Sequence, residues 1–241
     1  MADSIKIGNL DISSFKVGSS DCKIYLGDTL LYSGGTPSSG LPQGYTEVEY
    51  IQNNDMACID TNFIPDQDTR LLMRMQFVDN LAGRFCGCGY WNEISSMAFN
   101  FEDGYLHIAW GGITQGWKEY EDVMVETNYP HIYDWNKNTF YIDNTLIDAE
   151  RQVTFTAWPD SLGIFAFMYN GNPPTYSASE YLIGRMYSFK IYDDGTLVRD
   201  FVPCKRDSDN TVGAYDIVNN VFYGSAKSGY TFTAGPAVSN N

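Results

Sequence analysis

The strongest constraint in this chain is the recurrence of short, apolar-alternating segments separated by turn residues, with no amphipathic helical stretch between them. Leu71, Met73, Met75 and Phe77 alternate with Leu72, Arg74 and Gln76. Tyr105, His107 and Ala109 interleave with Leu106, Ile108 and Trp110. Phe140 and Ile142 run into the turn dipeptide Asp143-Asn144, and Leu146 and Ile147 resume beyond it, which spells a hairpin. Phe155 to Trp158 and Gly163 to Tyr169 are further strand candidates. Met186 to Tyr192 is the clearest strand, closed by the turn Asp193-Asp194-Gly195. A period of two gives a strand one buried face, so the pattern predicts an all-β antiparallel sandwich. The most helix-like stretch, Trp117 to Glu126, is too short and too acidic to hold a helix alone. Aromatic residues, 15% of the chain, point the same way, because rings pack well on pleated surfaces.

The chain divides at a linker. Ser33-Gly34-Gly35-Thr36-Pro37-Ser38-Ser39-Gly40 has linker composition, and we place the linker at residues 34–40. Before it, residues 1–33 hold a loose repeat of apolar-x-apolar-Gly units. These are Ile5-Lys6-Ile7-Gly8, Phe15-Lys16-Val17-Gly18 and Ile24-Tyr25-Leu26-Gly27, with Leu10 and Ile12 alternating in between. So small a set of short strands buries little surface by itself. It either docks to a partner or to other copies of the chain, or packs on the main domain. Residues 41–235 form that main domain, and residues 236–241 read as a tail.

Charge narrows the function classes. Acidic residues outnumber basic ones 30 to 15, a net charge of −15, so a nucleic acid would be repelled over most of the surface. The charge serves solubility, or a few of its carboxylates gather at a cation site. Five cysteines, Cys22, Cys58, Cys86, Cys88 and Cys204, are an odd number and suggest no disulfide framework. The start, Met1-Ala2-Asp3-Ser4, has no signal-peptide character, and no apolar stretch is long enough to span a bilayer. The expectation is synthesis in a reducing cytoplasm, free thiols, and no membrane partner.

Three motifs together resemble a known family. They are Leu41-Pro42-Gln43-Gly44-Tyr45-Thr46-Glu47-Val48-Glu49-Tyr50-Ile51, then Ile59-Asp60-Thr61-Asn62-Phe63 with Pro65, then a long closing stretch. The last comprises Gly184 to Tyr192, Leu197 to Cys204, Val212-Gly213-Ala214-Tyr215-Asp216 and Val221-Phe222-Tyr223. From about Leu41 to Thr233 the chain resembles the laminin G-like, concanavalin A-like jelly-roll domains of phage virion proteins and of gut-bacterial surface proteins. The segment before the linker resembles short modules that open phage structural proteins, typically of gut Bacteroidales phages. The resemblance implies a two-sheet jelly roll on a virion fibre, tail or capsid decoration, attached to other virion proteins through residues 1–33. It implies a homo-oligomer, a trimer first of all, and contact with a glycan or protein on the host surface. The alternative is a carbohydrate-binding adhesin of a bacterial surface, and after it a glycoside hydrolase.

The residues carry their own reading of the chemistry. A hydrolase on this fold needs a pair of carboxylates beside the scissile bond. The nearest approach, Glu119-Tyr120-Glu121-Asp122 continuing to Glu126, has the wrong spacing and reads as a solvated loop. No Gly-x-Ser-x-Gly elbow is present, so no enzyme is expected. His107 and His131 have no partner at metal-ligand spacing, and His107 reads as a surface or cross-strand residue. Cys86 and Cys88 share a strand face, as weak zinc ligands or as small core residues. Arg199 and Asp200, amid apolar neighbours, read as a fold-determining pair satisfied mutually or by backbone, with Pro203 ending the strand. The richest binding signal is aromatic: Trp91, Trp110, Trp117 and Tyr120, with Tyr90, in a Gly-rich region, either as sugar-stacking rings or as core. The turn-rich stretch Tyr169 to Tyr176 reads as an exposed loop. No cofactor is expected, although the family admits calcium, for which Asp143-Asn144, Asp193-Asp194 and Asp207 to Asn210 could supply oxygens.

Overall fold

In the computed structural model the described residues are 5–7, 10–12, 23–26, 29–33, 40–78, 83–88, 97–102, 105–110, 117–120, 123, 125–137, 139–148, 155, 159–169, 171–174 and 181–238. For those before residue 40, and for 102, 117 and 118, the backbone alone is described. Before the linker the chain forms two small antiparallel hairpins, β1 (Ile5–Ile7) with β2 (Leu10–Ile12) and β3 (Lys23–Leu26) with β4 (Thr29–Ser33). Three of these strands fall on the apolar-alternating segments of the sequence. The unit Phe15 to Gly18 and the linker residues 34–39 lie outside the described residues.

The rest is an antiparallel jelly-roll sandwich. Its smaller sheet runs, edge to edge, β12 (Trp117–Tyr120), β11 (Tyr105–Trp110), β10 (Met97–Glu102), β9 (Gly83–Cys88), β16 (Gly163–Ile164) and β7 (Ile59–Asp60). A short β17 (Phe167–Met168) adds parallel to β9. The larger sheet runs β15 (Thr145–Asp148), β14 (Thr139–Ile142), β13 (His131–Asn136), β8 (Thr69–Phe77), β18 (Gly184–Asp193), β19 (Thr196–Arg206), β20 (Val212–Asp216) and β21 (Val221–Tyr223). Along this sheet β5 (Tyr45–Glu47) joins β19, β6 (Ile51–Asn53) joins β18, and β22 (Thr233–Ala234) joins β6. The chain passes repeatedly from one sheet to the other, so β8 and β18, distant in sequence, become neighbours.

The expected alternation builds the core. Leu71, Met73, Met75 and Phe77 of β8 are buried, while Arg74 between them is exposed. Phe85, Phe99, Phe101, Leu106 and Ile108 of the smaller sheet meet them. Phe77 meets Phe85 edge-on at 4.5 Å, and Phe85 stacks on Phe99 at 4.3 Å. Each such ring withdrawn from water contributes about 1.5–3 kcal/mol, so this aromatic layer is the main bond between the sheets. The sequence hairpin is present: Asp143 and Asn144 adopt φ 48° and 65° in a two-residue turn, pairing Ile142 with Thr145. Asp194 and Gly195, at φ 44° and 76°, likewise turn β18 into β19. At Gly213 a Cβ would collide with the carbonyl oxygen of Tyr223, so glycine lets β21 approach.

Three expectations need correcting. Glu119 and Tyr120, read as the start of a solvated loop, lie in the strand Trp117–Tyr120, because its backbone completes the edge beside β11. Pro203 does not end β19, which continues to Arg206. Its missing N–H faces the gap where pairing passes from β18 to β5, and its carbonyl accepts from Val48 N–H at 3.1 Å. Of the two readings of Arg199 and Asp200, mutual pairing does not hold, whereas backbone satisfaction holds for Arg199. Arg199 reaches the Val198 carbonyl and lies 3.5 Å from Asp216, while Asp200 takes Lys190 at 2.6 Å. Residues 236–238, expected to begin a tail, are bonded into the sandwich: Glu49 N–H donates to the Pro236 carbonyl and Val238 N–H to the Glu47 carbonyl.

Candidate functional site

Among the described residues, the aromatic side chains singled out from the sequence belong to the core or pack against it. Trp110 is fully buried, with its ring 5.5 Å from Trp135 and 5.0 Å from Phe155, so it belongs to the core and cannot stack on a ligand. Tyr120 is half-buried and packs against the same core. Trp117 contributes its backbone to β12, its side chain lying outside the described residues, as do Tyr90 and Trp91 entirely. The start of the 169–176 loop is tied down: Tyr169 and Asn172 exchange backbone hydrogen bonds, and Tyr181 Oη and Lys227 Nζ both donate to the Pro174 carbonyl.

The polar candidates take structural roles. His107 is cross-strand to Glu119, as one reading had it, but it is buried, its Nε2 3.6 Å from that carboxylate. His131 is buried with Nδ1 2.6 Å from Asp143 Oδ2 and Nε2 2.9 Å from the Glu126 carbonyl, which ties the Asp143-Asn144 turn to the start of β13. Cys86 and Cys88 are buried and free, as are Cys58 and Cys204. Burial pushes the Cys58, Cys88 and Cys204 thiols up to about 12, and Cys86 well above its ordinary value. Among the described residues no group of three or more His, Cys, Asp or Glu is placed to hold a metal ion. Asp143-Asn144, Asp194 and Asp207 to Asp209 lie in turns and Asp193 ends β18, the turn at Asp207 being closed by an Arg206–Asp209 pair at 2.7 Å.

A concave site lies elsewhere, on the outer face of the larger sheet. Its floor is β8, β18 and β19, and its wall is the chain at Glu47–Glu49 with Val238 bonded alongside. The pocket has a volume of about 680 Å³, within the range of small-ligand sites. Arg74, Tyr187, Ser188, Lys190 and Asp200 present its polar floor. A bulge in β18 places Tyr187, Ser188 and Lys190 there. The β8–β18 register slips between Met186 and Ser188, so Tyr187 has no partner on β8 and Ser188 falls opposite Arg74. Without that extra residue Phe189 could not return to the core, where it is fully buried.

The floor is held firmly. The Arg74 guanidinium carbon lies 4.8 Å from the centre of the Tyr187 ring. Tyr187 Oη donates to Gln76 Oε1 at 2.8 Å, and its ring meets Tyr50 at 5.3 Å, which in turn carries Arg185 at 4.4 Å. Arg185 Nε donates to Gln52 Oε1 at 2.7 Å. Lys190 and Asp200 neutralise each other at 2.6 Å. Sequence reasoning missed this site. A signal was present: Arg74 and Lys190 occupy outward positions of strands whose alternate residues are apolar, in a chain poor in cations. The bulge that aims Tyr187 had no such signal.

No protein-family model matches this chain, and no curated protein is detectably similar to it in sequence. Among solved structures it is similar to domains LG4-5 of the mouse laminin α1 chain, at 9% identity and a TM-score of 0.41. That match covers 67% of this chain and 44% of the other, so the chain spans under half of that laminin fragment. It is also similar to the native heptameric SAP-like pentraxin of Limulus polyphemus, at 11% identity and a TM-score of 0.43, covering 81% of this chain and 95% of that one.

Proposed function

We propose that this chain is a structural protein of a bacteriophage particle, a fibre, tail or capsid-decoration component. In this reading residues 1–33 attach it to other virion proteins, copies of the chain assemble as a homo-oligomer, and the jelly roll is displayed for contact with the host surface, a glycan first of all. The observation that carries the binding half is the pocket on the larger sheet: a preformed concavity on a rigid sandwich, floored by a stacked arginine and an ion pair. Binding needs only such fixed groups, and we assign the site no catalytic role. The motifs Leu41 to Ile51 and Gly184 to Tyr223 support the virion half through their resemblance to phage virion domains. The hairpins before residue 34 favour it over a free adhesin, which needs no such appendage.

The test compares the full chain with one beginning at Leu41, by light scattering and by cosedimentation with phage particles lacking the protein. The expected result is an oligomeric, particle-bound full chain and a folded monomer after truncation. If both are monomers that ignore the particle, the virion reading fails and the glycan-binding adhesin takes its place.

A further inference from the structure

The pocket's charged groups differ in what remains free for a ligand. Lys190 is committed to Asp200, and Asp200 also receives the Lys190 ammonium within a face where its own backbone is bonded to Asp216. Arg74 is not committed. It is exposed, and among the described residues it forms no ion pair and no hydrogen bond, only the stack on Tyr187. That contact with the ring face leaves the N–H donors available. A planar fork of donors matches a carboxylate in two-point geometry, whereas a lone ammonium would not. The wall supplies the opposite chemistry. Glu47 and Glu49 are without ion-pair partners among the described residues, and their carboxylates accept from hydroxyls while repelling a polyanion.

From this juxtaposition we infer that the pocket recognises a sugar residue bearing a single carboxylate among hydroxyls, with Arg74 as the carboxylate anchor. The inference rests on the glycan-binding reading above and narrows its ligand class. Tyr187 acts through Arg74 by fixing its orientation, and the Tyr187–Gln76 hydrogen bond fixes Tyr187 in turn. A polymer with a charge on every unit is disfavoured, because Arg74, the one lining cation without an ion pair among the described residues, shares the pocket with the two unpaired carboxylates Glu47 and Glu49.

The test uses the full chain and a panel of oligosaccharides ending in uronic or sialic-type acids, each with its carboxyl-reduced and its sulfated counterpart, read by calorimetry or biolayer interferometry. The expected result is that acid-ended members bind about tenfold or more tightly than their reduced counterparts, the worth of one charge-assisted pair. Arg74→Gln should erase that preference while leaving the weak binding of the reduced form, and Arg74→Lys should restore only part of it. Equal binding of acid and reduced forms, or an Arg74→Gln variant with full preference, overturns the carboxylate anchor and leaves glycan binding standing. Sulfated forms binding as well as carboxylated ones would overturn the carboxylate assignment in favour of a general anion site. Binding of no member of the panel, neutral or acidic, overturns this inference and the glycan reading together.

Discussion

Asp216 offers the sharpest test of how the larger sheet is held together. Its carboxylate is fully buried at the end of β20. Oδ1 accepts from the backbone N–H of Asp200 at 3.0 Å and of Val218 at 3.1 Å. Oδ2 accepts from Asn219 Nδ2 at 2.7 Å and lies 3.5 Å from Arg199 Nε. In Asp216→Ala the Asp200 N–H stays buried with no acceptor, the Val218 and Asn219 donors lose theirs, and Arg199 loses its countercharge. A buried orphaned donor costs about 1–3 kcal/mol and a broken buried ion pair about 3–5, and the terms overlap at one carboxylate, so we expect a loss of about 3–5 kcal/mol. For a domain of this size that lowers Tm by about 6–20 °C. Asp216→Asn keeps an oxygen for the two backbone donors but sets its amide against Asn219 and Arg199, for a smaller loss of about 1–2 kcal/mol. The assay is guanidinium chloride unfolding followed by tryptophan fluorescence, with unchanged m-values showing that stability alone has moved. A cost under about 1 kcal/mol for Asp216→Ala, or an Asn variant as costly as the Ala variant, would refute the reasoning, because the hydrogen-bond network around Asp216 admits neither.

Two further outcomes follow from the electrostatics. Burial, helped by Asp66, Asp194 and Asp68, raises the Asp193 carboxyl above its ordinary range. A folded pKa above the unfolded one means that the ionised group destabilises the fold above the folded pKa and not below the unfolded one. Asp193→Asn should therefore raise Tm at neutral pH, by an amount that shrinks with added salt and vanishes in acid. A gain that persists in acid would place its cause elsewhere. Burial likewise suppresses the thiolates of Cys58, Cys86, Cys88 and Cys204, so at most one of the five thiols should react quickly with a maleimide at neutral pH, and all five after unfolding. Two or more fast thiols in the folded protein would contradict the packing around them.

The sequence by itself determined what a period of two and local turn chemistry can determine. The alternation of Leu71, Met73, Met75 and Phe77 named one buried face of β8. Asp143-Asn144 named its hairpin, because two left-handed residues close a two-residue turn whatever surrounds them. The motifs from Gly184 to Asp216 pointed to the jelly roll. Only the tertiary structure decided what depends on which distant strand lies alongside. Trp110, on an alternating strand segment, could be a sugar-stacking ring or core, and the fold made it core, because Trp135 and Phe155 close over it. Pro203 looked like a strand end, and survives within β19 because no partner there needs its N–H. Arg199 and Asp200 could satisfy each other or turn to the backbone, and the fold gave Arg199 backbone carbonyls with Asp216 nearby and gave Asp200 Lys190. The pocket is the clearest case. Arg74 and Tyr187 are more than a hundred positions apart, and the bulge that brings the ring beside the guanidinium exists only because β18 must keep register with β8 while returning Phe189 to the core. A bulge is settled by the pairing of two strands, and one strand's sequence holds half of that information.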